Sequence, residues 1–468
     1  MTGIERMNSI FEAQSKPQSN STIKERLNHL RCIENWIKDH ESDIVEAHFQ
    51  DLGKPKSEVD LAEIWFVMSE IKMAKKNLQQ WMSPKRKGIS SLALFPAKAW
   101  VHMEPKGVVL IISPWNFPFN LTVGPMVSAL AAGNRIMIKP SEMTPNVSAL
   151  IEKMVADLFE TNMVAVFQGD ATVSTELLKL PFHHIFFTGS SHVGKIVMSA
   201  AAKHLASVTL ELGGKSPTII DNTAQIGMAV KKIAWGKCIN AGQSCIAPDY
   251  ILVHENVKEE FVSKLSQRLN EVFGESLEDK KLTKDYGRIV NSNHWLRINS
   301  LLENAIKEGA SIAHGGGKDK AQYFFEPTLL DNVTLDMDIM TEEIFGPLLP
   351  IIPFKDLNEC LKIIQAKPKP LALYMFSNSQ KNIDNIIQNT SSGGMVINEV
   401  KSHFLNLDLP FGGVNTSGFG RSHGVEGFRS FSNERTMLKN GRLSQINLIF
   451  PPYTKWTKRV IHFVTKFL

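Results

Sequence analysis

The stretch VVLIISPWNFP, residues 108–118, joins a continuous apolar run to a turn that contains two prolines. Five apolar residues in a row are typical of a strand that is buried on both faces of a parallel sheet. The segments NRIMIKPSE (134–142) and HHIFFTGSS (183–191) have the same form, and GPMVSALAAG (124–133) between the first two reads as a helix. Strands that alternate with helices predict a parallel sheet covered by helices on both sides.

The same pattern begins again after about residue 215. The segments SPTIIDN (216–222) and DYILVHE (249–255) predict two more buried strands, separated by a helix over 224–238. A chain of 468 residues is too long for one compact core. The sequence therefore predicts an α/β protein with two or three domains.

Helix signals precede the first predicted strand. Thr22 and Glu25 have the spacing of a capping box, and apolar residues follow at helical intervals. Ser57 and Asp60 are predicted to cap a second helix from about 58 to 82, which Ser83-Pro84 ends.

The composition excludes several functional classes. The formal net charge of +5 is small for this length and argues against a dedicated nucleic-acid binder. The first residues lack the order of a signal peptide, and no apolar run reaches the roughly 18 residues of a membrane span. Four cysteines do not form a disulfide framework in so long a chain, so we expect a reducing, cytoplasmic location.

Two motifs follow predicted strands and could bind a nucleotide. Gly189 and Gly194 frame GSSHVG after HHIFF, and a glycine turn before a helix presents free N–H groups to a pyrophosphate. An empty turn explains such a motif equally well in isolation. Lys139 and Glu142 in IKPSE could hydrogen-bond ribose hydroxyls at the carboxyl end of a strand, or form a solvated ion pair.

Three further residues suit acyl chemistry. Glu211 in ELGGK follows an apolar segment, where desolvation would raise the pKa of a carboxylate towards that of a useful base. Asn116 in PWNFP is a neutral amide that could stabilise an oxyanion. Cys245 in NAGQSCIAPD (240–249) lies among small residues, and a helix that began just after it would lower the thiol pKa. The alternatives are an edge-strand glutamate, a loop asparagine and a small buried cysteine.

Seven motifs together resemble the aldehyde dehydrogenase superfamily. PWNFP, IKPSE, FTGSSHVG, ELGGKSP, GQSC, EEIFGP and PFGGVNTSGFGR occur in the order of that family, from about residue 20 to 440. The stretch GKIVMSAAAKHLASVTLELGGKSP is most similar to the class 3 branch and to bacterial coniferyl-aldehyde dehydrogenase-like proteins. The resemblance implies an α/β fold with a Rossmann-type cofactor domain (1–82 and 107–211), a catalytic domain (212–400) and a small β oligomerisation extension (83–106 and 401–440). Residues 441–468 would form a separate amphipathic tail.

The resemblance also implies residue roles. Cys245 would attack an aldehyde, Asn116 would hold the oxyanion, and Glu211 would activate water. Glu343 would bind the nicotinamide ribose and is a second candidate for the base. Further contacts to the cofactor are implied for Trp115, Lys139, Glu142, Gly189, Ser190, Gly194, Leu212 and Phe345. The cofactor would be NAD, because Glu142 would repel the 2′-phosphate of NADP, although NADP could also be accepted. No metal is expected. A homodimer is expected.

Substrate and tail leave alternatives open. Trp235 and Phe119 suggest an apolar funnel for an aromatic or medium-to-long aliphatic aldehyde. Two rivals remain: an enzyme that passes the acyl group to coenzyme A, and a non-catalytic binding protein. The tail FPPYTKWTKRVIHFVTKFL (450–468) carries four Lys or Arg residues, no acidic residue and an apolar helical face. It could pack on a subunit, lie on an anionic membrane surface or cover the substrate funnel.

Overall fold

A computed structural model describes residues 2–17, 21–89, 94, 96–441, 447 and 449–467. Helices dominate the first 82 residues: α1 (Gly3–Ser15), α2 (Ile23–Asp39), α3 (Glu41–Leu52), α4 (Lys56–Val59) and α5 (Trp65–Met82). A π-helical turn, Asp60–Ile64, joins α4 to α5, so the chain is helical from 56 to 82.

One of the two predicted helix starts is confirmed. Thr22 and Glu25 form the capping box of α2. The box predicted for Ser57 and Asp60 is wrong, because Pro55 is the residue before α4 and no side chain caps that helix. Asp60 lies one turn inside and pairs with Lys56 at 2.5 Å instead. The helical segment ends at Ser83, as predicted.

The first large sheet follows two short antiparallel strands, β1 (Lys85–Lys87) and β2 (Lys98–Pro105). Its strands and helices are β3 (Val108–Ile112), α6 (Asn120–Ala132), β4 (Arg135–Lys139), α7 (Pro145–Leu158), β5 (Val164–Val166), α8 (Ala171–Leu177), β6 (His184–Thr188), α9 (Ser191–Ala202) and β7 (Ser207–Glu211). The strands are parallel in the order β7-β6-β3-β4-β5. Val109 and Ile111 face one apolar cluster and Leu110 faces another, so β3 is buried on both faces.

The second large sheet contains seven strands. Its elements are β8 (Pro217–Ile220), α10 (Ile226–Cys238), β9 (Tyr250–His254), α11 (Glu255–Phe273), α12 (Leu277–Leu282), α13 (Ser292–Lys307), β10 (Ser311–His314), β11 (Lys318–Asp319), β12 (Phe324–Phe325), β13 (Thr328–Asp331), β14 (Leu348–Phe354), α14 (Leu357–Gln365), β15 (Ala372–Phe376), α15 (Gln380–Asn389) and β16 (Gly394–Ile397). The order is β10-β13-β14-β9-β8-β15-β16, with β10 antiparallel; β11 and β12 form a separate hairpin pair. The predicted α/β fold is confirmed.

The last part of the chain returns to the first sheet. Its elements are α16 (Ser402–Leu405), β17 (Gly418–Phe419), α17 (Gly424–Ser430), β18 (Ser432–Lys439) and α18 (Lys455–Phe467). Strand β18 pairs with β2 along its whole length to complete a three-stranded sheet, β1-β2-β18. Residues 401–440 do not all join that extension, because β17 pairs with β7 at the edge of the first large sheet.

Candidate active site

The order of the first sheet creates a crevice at its carboxyl edge. From β3 the chain proceeds outward to β4 and β5, and then returns to β6 on the other side of β3. In doubly wound sheets, ligands bind at the point where the order reverses. The loops after β3 and β6 carry Trp115, Asn116, Gly189 and Ser190, so the predicted cofactor motifs meet at this crevice.

The GSSHVG turn forms the start of α9, as predicted. The Ser190 side chain accepts a hydrogen bond from the Val193 N–H and caps the helix. A Cβ atom on Gly194 would lie 2.8 Å from the end of the Leu212 side chain, which would have to shift. The turn thus presents a capped helix N-terminus, which is a favourable site for a pyrophosphate.

Lys139 and Glu142 form an ion pair with each other. Lys139 ends β4 and is only 4% exposed, whereas the Glu142 side chain is 40% exposed. The two residues form the ion pair that was the alternative interpretation, with the lysine buried at the edge of the sheet and the glutamate partly exposed. The pair is fixed beside the crevice, with its carboxylate towards solvent.

A cavity at the crevice brings most of the predicted site residues together. Trp115 packs edge-on against Phe345, with ring centroids 5.3 Å apart. The predicted residues that line this cavity are Trp115, Asn116, Gly189, Ser190, Glu211, Leu212, Cys245, Glu343 and Phe345. Lys139, Glu142 and Gly194 do not line it. His294 and Arg297 also border the cavity, and neither lies in a motif that predicted this position.

Cys245 also borders a second, apolar cavity. Cys245 and Leu121 line both cavities, and Trp235 lines the apolar one, as predicted. Phe119 does not, because it is fully buried before α6; its neighbour Phe117 takes that place. The remaining wall includes Leu61, Phe66, Lys401 and Phe404. The thiol therefore stands at the junction of a polar cavity and an apolar one.

The surroundings of Cys245 do not lower its thiol pKa through a helix. The chain turns after residue 245 and enters β9 at Tyr250, so the helix expected just after the cysteine is absent from this described segment. Burial raises the pKa of Cys245 to about 12, and the nearby carboxylates of Glu343 and Glu211 raise it further, while Lys401 opposes them. These surroundings favour the protonated form of the thiol.

Asn116 is fixed by residues that sequence reasoning missed. Its backbone carbonyl accepts hydrogen bonds from Lys54 Nζ at 2.9 Å and Asn240 Nδ2 at 2.7 Å. Lys54 Nζ forms an ion pair at 2.6 Å with Oε1 of Glu63, which lies inside the π-helical turn. The Asn116 amide donates to the Gln243 carbonyl at 3.2 Å. An amide carries two N–H groups, so this bond leaves one for an oxyanion.

Glu211 ends β7 in an apolar setting. It is 6% exposed, and neither carboxylate oxygen has a hydrogen-bond partner of good geometry. Burial raises its pKa to about 8, opposed by Ser422 and Arg421 nearby. A carboxyl with a pKa near neutrality can act as a general base at the pH of a cell.

Glu343 is the second carboxylate at the cavity. Its side chain covers Gly213, where a Cβ atom would collide with the carboxylate. Arg297 holds the backbone by donating to the Glu343 carbonyl at 3.2 Å. Burial raises the pKa of Glu343 to about 8 as well. The two carboxyls therefore have similarly raised pKa values, but Glu211 is buried whereas Glu343 is partly exposed.

Comparison with known proteins agrees with this geometry. A sequence model of the aldehyde dehydrogenase family matches residues 4–437. The chain belongs to the aldehyde dehydrogenase family. A relative named 4,4'-diaponeurosporen-aldehyde dehydrogenase, from Staphylococcus aureus, is 44% identical over 93% of this chain and 94% of its own. The dimeric NADP-preferring aldehyde dehydrogenase of Canis lupus familiaris is 41% identical over 91% and 93%.

A solved structure shows the same fold. The substrate-bound state of a Staphylococcus aureus AldH has a TM-score of 0.94 and 43% identity, and covers 99% of this chain and 100% of its own. This chain is an NAD(P)-dependent aldehyde dehydrogenase. Its crevice fits a dinucleotide through the capped α9 terminus and through Gly189 in the cavity wall, where a Cβ atom would collide with the Phe187 ring. Across the residues that the structure describes, no cluster of His, Cys, Asp and Glu could hold a metal ion, and no helix could cross a membrane.

Proposed function

We propose that the protein oxidises a hydrophobic aldehyde to its carboxylic acid through a covalent intermediate on Cys245. The position of Cys245 between the two cavities carries this proposal. The apolar cavity would hold the substrate chain, and the polar cavity would hold the nicotinamide. The aldehyde carbon would then lie where the two cavities meet. The Cys245 sulfur would attack this carbon, and hydride would leave it towards the nicotinamide in the polar cavity.

The steps follow from the residues at the junction. The Cys245 thiol gives its proton to water and attacks as thiolate, and the new oxyanion is held by the Asn116 amide and the Cys245 N–H. A bound NAD or NADP would supply the hydride acceptor, and loss of hydride from the Cys245 adduct would leave a thioester on the sulfur. Glu211 takes a proton from water as the water attacks the thioester, and the acid departs with regeneration of the thiol.

We assign the role of general base to Glu211 and the binding of the nicotinamide ribose to Glu343. Glu211 lies at the end of β7 with both oxygens unpaired, whereas Glu343 covers Gly213 within the cofactor cavity. We further assign residues 1–82 and 107–211 to cofactor binding and 212–400 to catalysis. Trp115, Leu212 and Phe345 would contact the cofactor, and the exposed carboxylate of Glu142 would disfavour the 2′-phosphate of NADP.

Aromatic or medium-to-long aliphatic aldehydes suit the apolar cavity. Its wall includes Phe66, Phe117, Trp235 and Phe404. The test measures NADH formation with a panel of aldehydes of rising chain length, with and without coenzyme A. We expect turnover without coenzyme A and a preference for the longer or aromatic aldehydes. Turnover that requires coenzyme A would identify an acylating enzyme, and no turnover at all would leave a binding protein.

A homodimer is part of the proposal. Strand β18 is an edge of the three-stranded sheet, and most of its residues are exposed. An unpaired edge strand is a ready surface for a second copy, and a relative is named as dimeric. A mass of two chains by light scattering is expected, and a mass of one chain would contradict it.

We also propose that the C-terminal helix binds anionic membrane surfaces. Helix α18 lies beyond the family match, which ends at 437. Trp456 and Phe463 are 57% and 60% exposed, and the segment carries Lys455, Lys458 and Arg459 without an acidic residue. An exposed apolar face flanked by positive charge suits the interface of an anionic bilayer.

Vesicle sedimentation tests the membrane proposal. The intact protein is expected to pellet with vesicles of phosphatidylcholine and phosphatidylglycerol, and much less with phosphatidylcholine alone. Deleting residues 454–468 should abolish this binding. Leu205→Ser is the matched control, since it removes a 94% exposed leucine outside the tail. Equal binding by the deletion variant would exclude the membrane role. If the intact protein does not bind vesicles but the deletion alters the preference for aldehyde chain length, the results would favour a helix that covers the apolar cavity.

A further inference from the structure

Lys401 is a buried amine in the wall of the apolar cavity. The residue is 6% exposed, and its Nζ has no hydrogen-bond partner. Most of the side chains that share this wall are apolar, among them Phe66, Phe117 and Phe404. A polar group that is buried without a partner destabilises the folded protein. Its presence beside Cys245 therefore indicates a partner that arrives from outside.

The backbone fixes where Lys401 lies. The residue precedes α16 with φ +61° and ψ −15°, in the left-handed region that favours glycine or asparagine. Its carbonyl accepts a hydrogen bond from the Phe404 N–H at 3.0 Å, and Ser402 N–H donates to the Val400 carbonyl at 2.8 Å. The loop thus holds a lysine at a strained position in the wall of the cavity.

Burial is the main influence on the pKa of the Lys401 amine, and nearby charges modify it. Burial lowers its pKa to about 7, Lys237 lowers it further, and Glu58, Cys238 and Cys245 act in the opposite direction. None of these groups forms an ion pair with it among the described residues. An oxygen that entered the cavity would therefore meet a donor with unused hydrogen-bonding capacity.

We propose that Lys401 determines substrate specificity by donating a hydrogen bond to a second oxygen on the aldehyde chain. The inference rests on the proposed function, because it takes the apolar cavity as the place of the substrate chain. The preferred substrate is then an aldehyde with a mainly hydrocarbon body and one hydroxyl or carboxylate oxygen, rather than a pure hydrocarbon chain.

The test compares aldehydes of equal length that end in methyl, hydroxyl or carboxylate, over several lengths. At one of these lengths, the wild type should favour an oxygen-bearing aldehyde in kcat/KM by roughly 10- to 100-fold, the range for one hydrogen bond from a charged donor. Lys401→Met should remove this preference, mainly by raising KM for the oxygen-bearing aldehydes. Lys401→Arg should retain part of it.

The pH dependence separates the two kinds of oxygen. A carboxylate needs the ammonium form, so its advantage should be present at low pH and decline as pH rises through the pKa of Lys401 in the complex. A hydroxyl accepts a hydrogen bond from the neutral amine too, so its advantage should persist. Lys237→Met is the matched control, since Lys237 is also buried with an unpaired Nζ but lines neither cavity.

Two outcomes would overturn the inference. The first is an unchanged preference in Lys401→Met while aldehyde oxidation continues, which leaves the proposed function intact. The second is an equal loss of kcat for all three series, which would mean that Lys401 acts on Cys245 and not on the substrate. A wild type that oxidises no aldehyde would instead refute the proposed function itself.

Discussion

Replacing Glu211 with glutamine separates the two halves of the proposed reaction. Hydride transfer needs the thiol and the oxyanion contacts, whereas only hydrolysis of the thioester needs the base. Glu211→Gln should therefore release a burst of about one NADH per active site and then stall, with steady turnover reduced by about 10²- to 10⁴-fold, the usual contribution of a general base. Rapid-mixing absorbance measures both phases.

The same substitution has a predicted effect on stability. Burial raises the pKa of Glu211 from 4.5 to about 8, so the folded protein keeps a proton that the unfolded chain loses. Each pKa unit corresponds to about 1.4 kcal/mol, so this carboxyl destabilises the fold by about 2 kcal/mol at pH 6 and about 5 kcal/mol above pH 8. Glutamine does not titrate. The stability of Glu211→Gln relative to wild type should therefore rise by about 3 kcal/mol between pH 6 and pH 9.

Urea titrations at the two pH values measure this difference. A relative stability that stays constant with pH would show that the carboxyl is hydrated in the folded protein, and the argument from burial would fail. Glu343→Gln is the kinetic counterpart, because it changes the other carboxylate of the cavity. A stall in Glu343→Gln together with steady turnover in Glu211→Gln would transfer the role of the base to Glu343.

Two further predictions concern the nucleophile and the cofactor. Cys245→Ala should lower turnover by more than a hundredfold, or about 3 kcal/mol, and should still bind NAD, as measured by quenching of protein fluorescence. Smaller losses would mean that another group attacks the aldehyde. Glu142→Gln should raise kcat/KM for NADP relative to NAD, because it removes the negative charge beside the 2′-phosphate; an unchanged ratio would place that phosphate away from Glu142.

The sheets could be predicted from sequence because burial on both faces leaves a strong local signal. The run at 108–112 becomes β3, whose alternate residues enter two different apolar clusters. The last part of the chain could not be divided in the same way. Strands β17 and β18 are separated by one short helix but join different sheets, and their pairing depends on partners more than 200 residues away in sequence.

The site residues that lie in distinctive short motifs could be predicted from the sequence. Asn116, Glu211, Cys245 and Glu343 each lie in a distinctive short segment, and all four line the polar cavity. The direction of a side chain in a loop could not be predicted from the sequence. We expected Phe119 to line the apolar cavity, whereas Phe117 lines it.

The contacts that hold Asn116 in place could not be predicted from the sequence either. Lys54 and Glu63 are ordinary charged residues until a π-helical turn buries them together behind the carbonyl of Asn116. Lys401 has no local signature either, since a lysine becomes unusual only when tertiary packing encloses it.

The junction at Cys245 explains why these distant segments must meet. A thioester can form only if the aldehyde carbon reaches the sulfur while its hydrogen faces the nicotinamide, so the substrate chain must approach from the side opposite the cofactor. In the proposed reaction, the apolar cavity would supply that second approach, and its wall includes residues within 61–66, 117–121, 235–239 and 401–405. The helical N-terminal segment and the loop after β16 are therefore as necessary to the site as the cofactor sheet, although they carry none of the reacting groups.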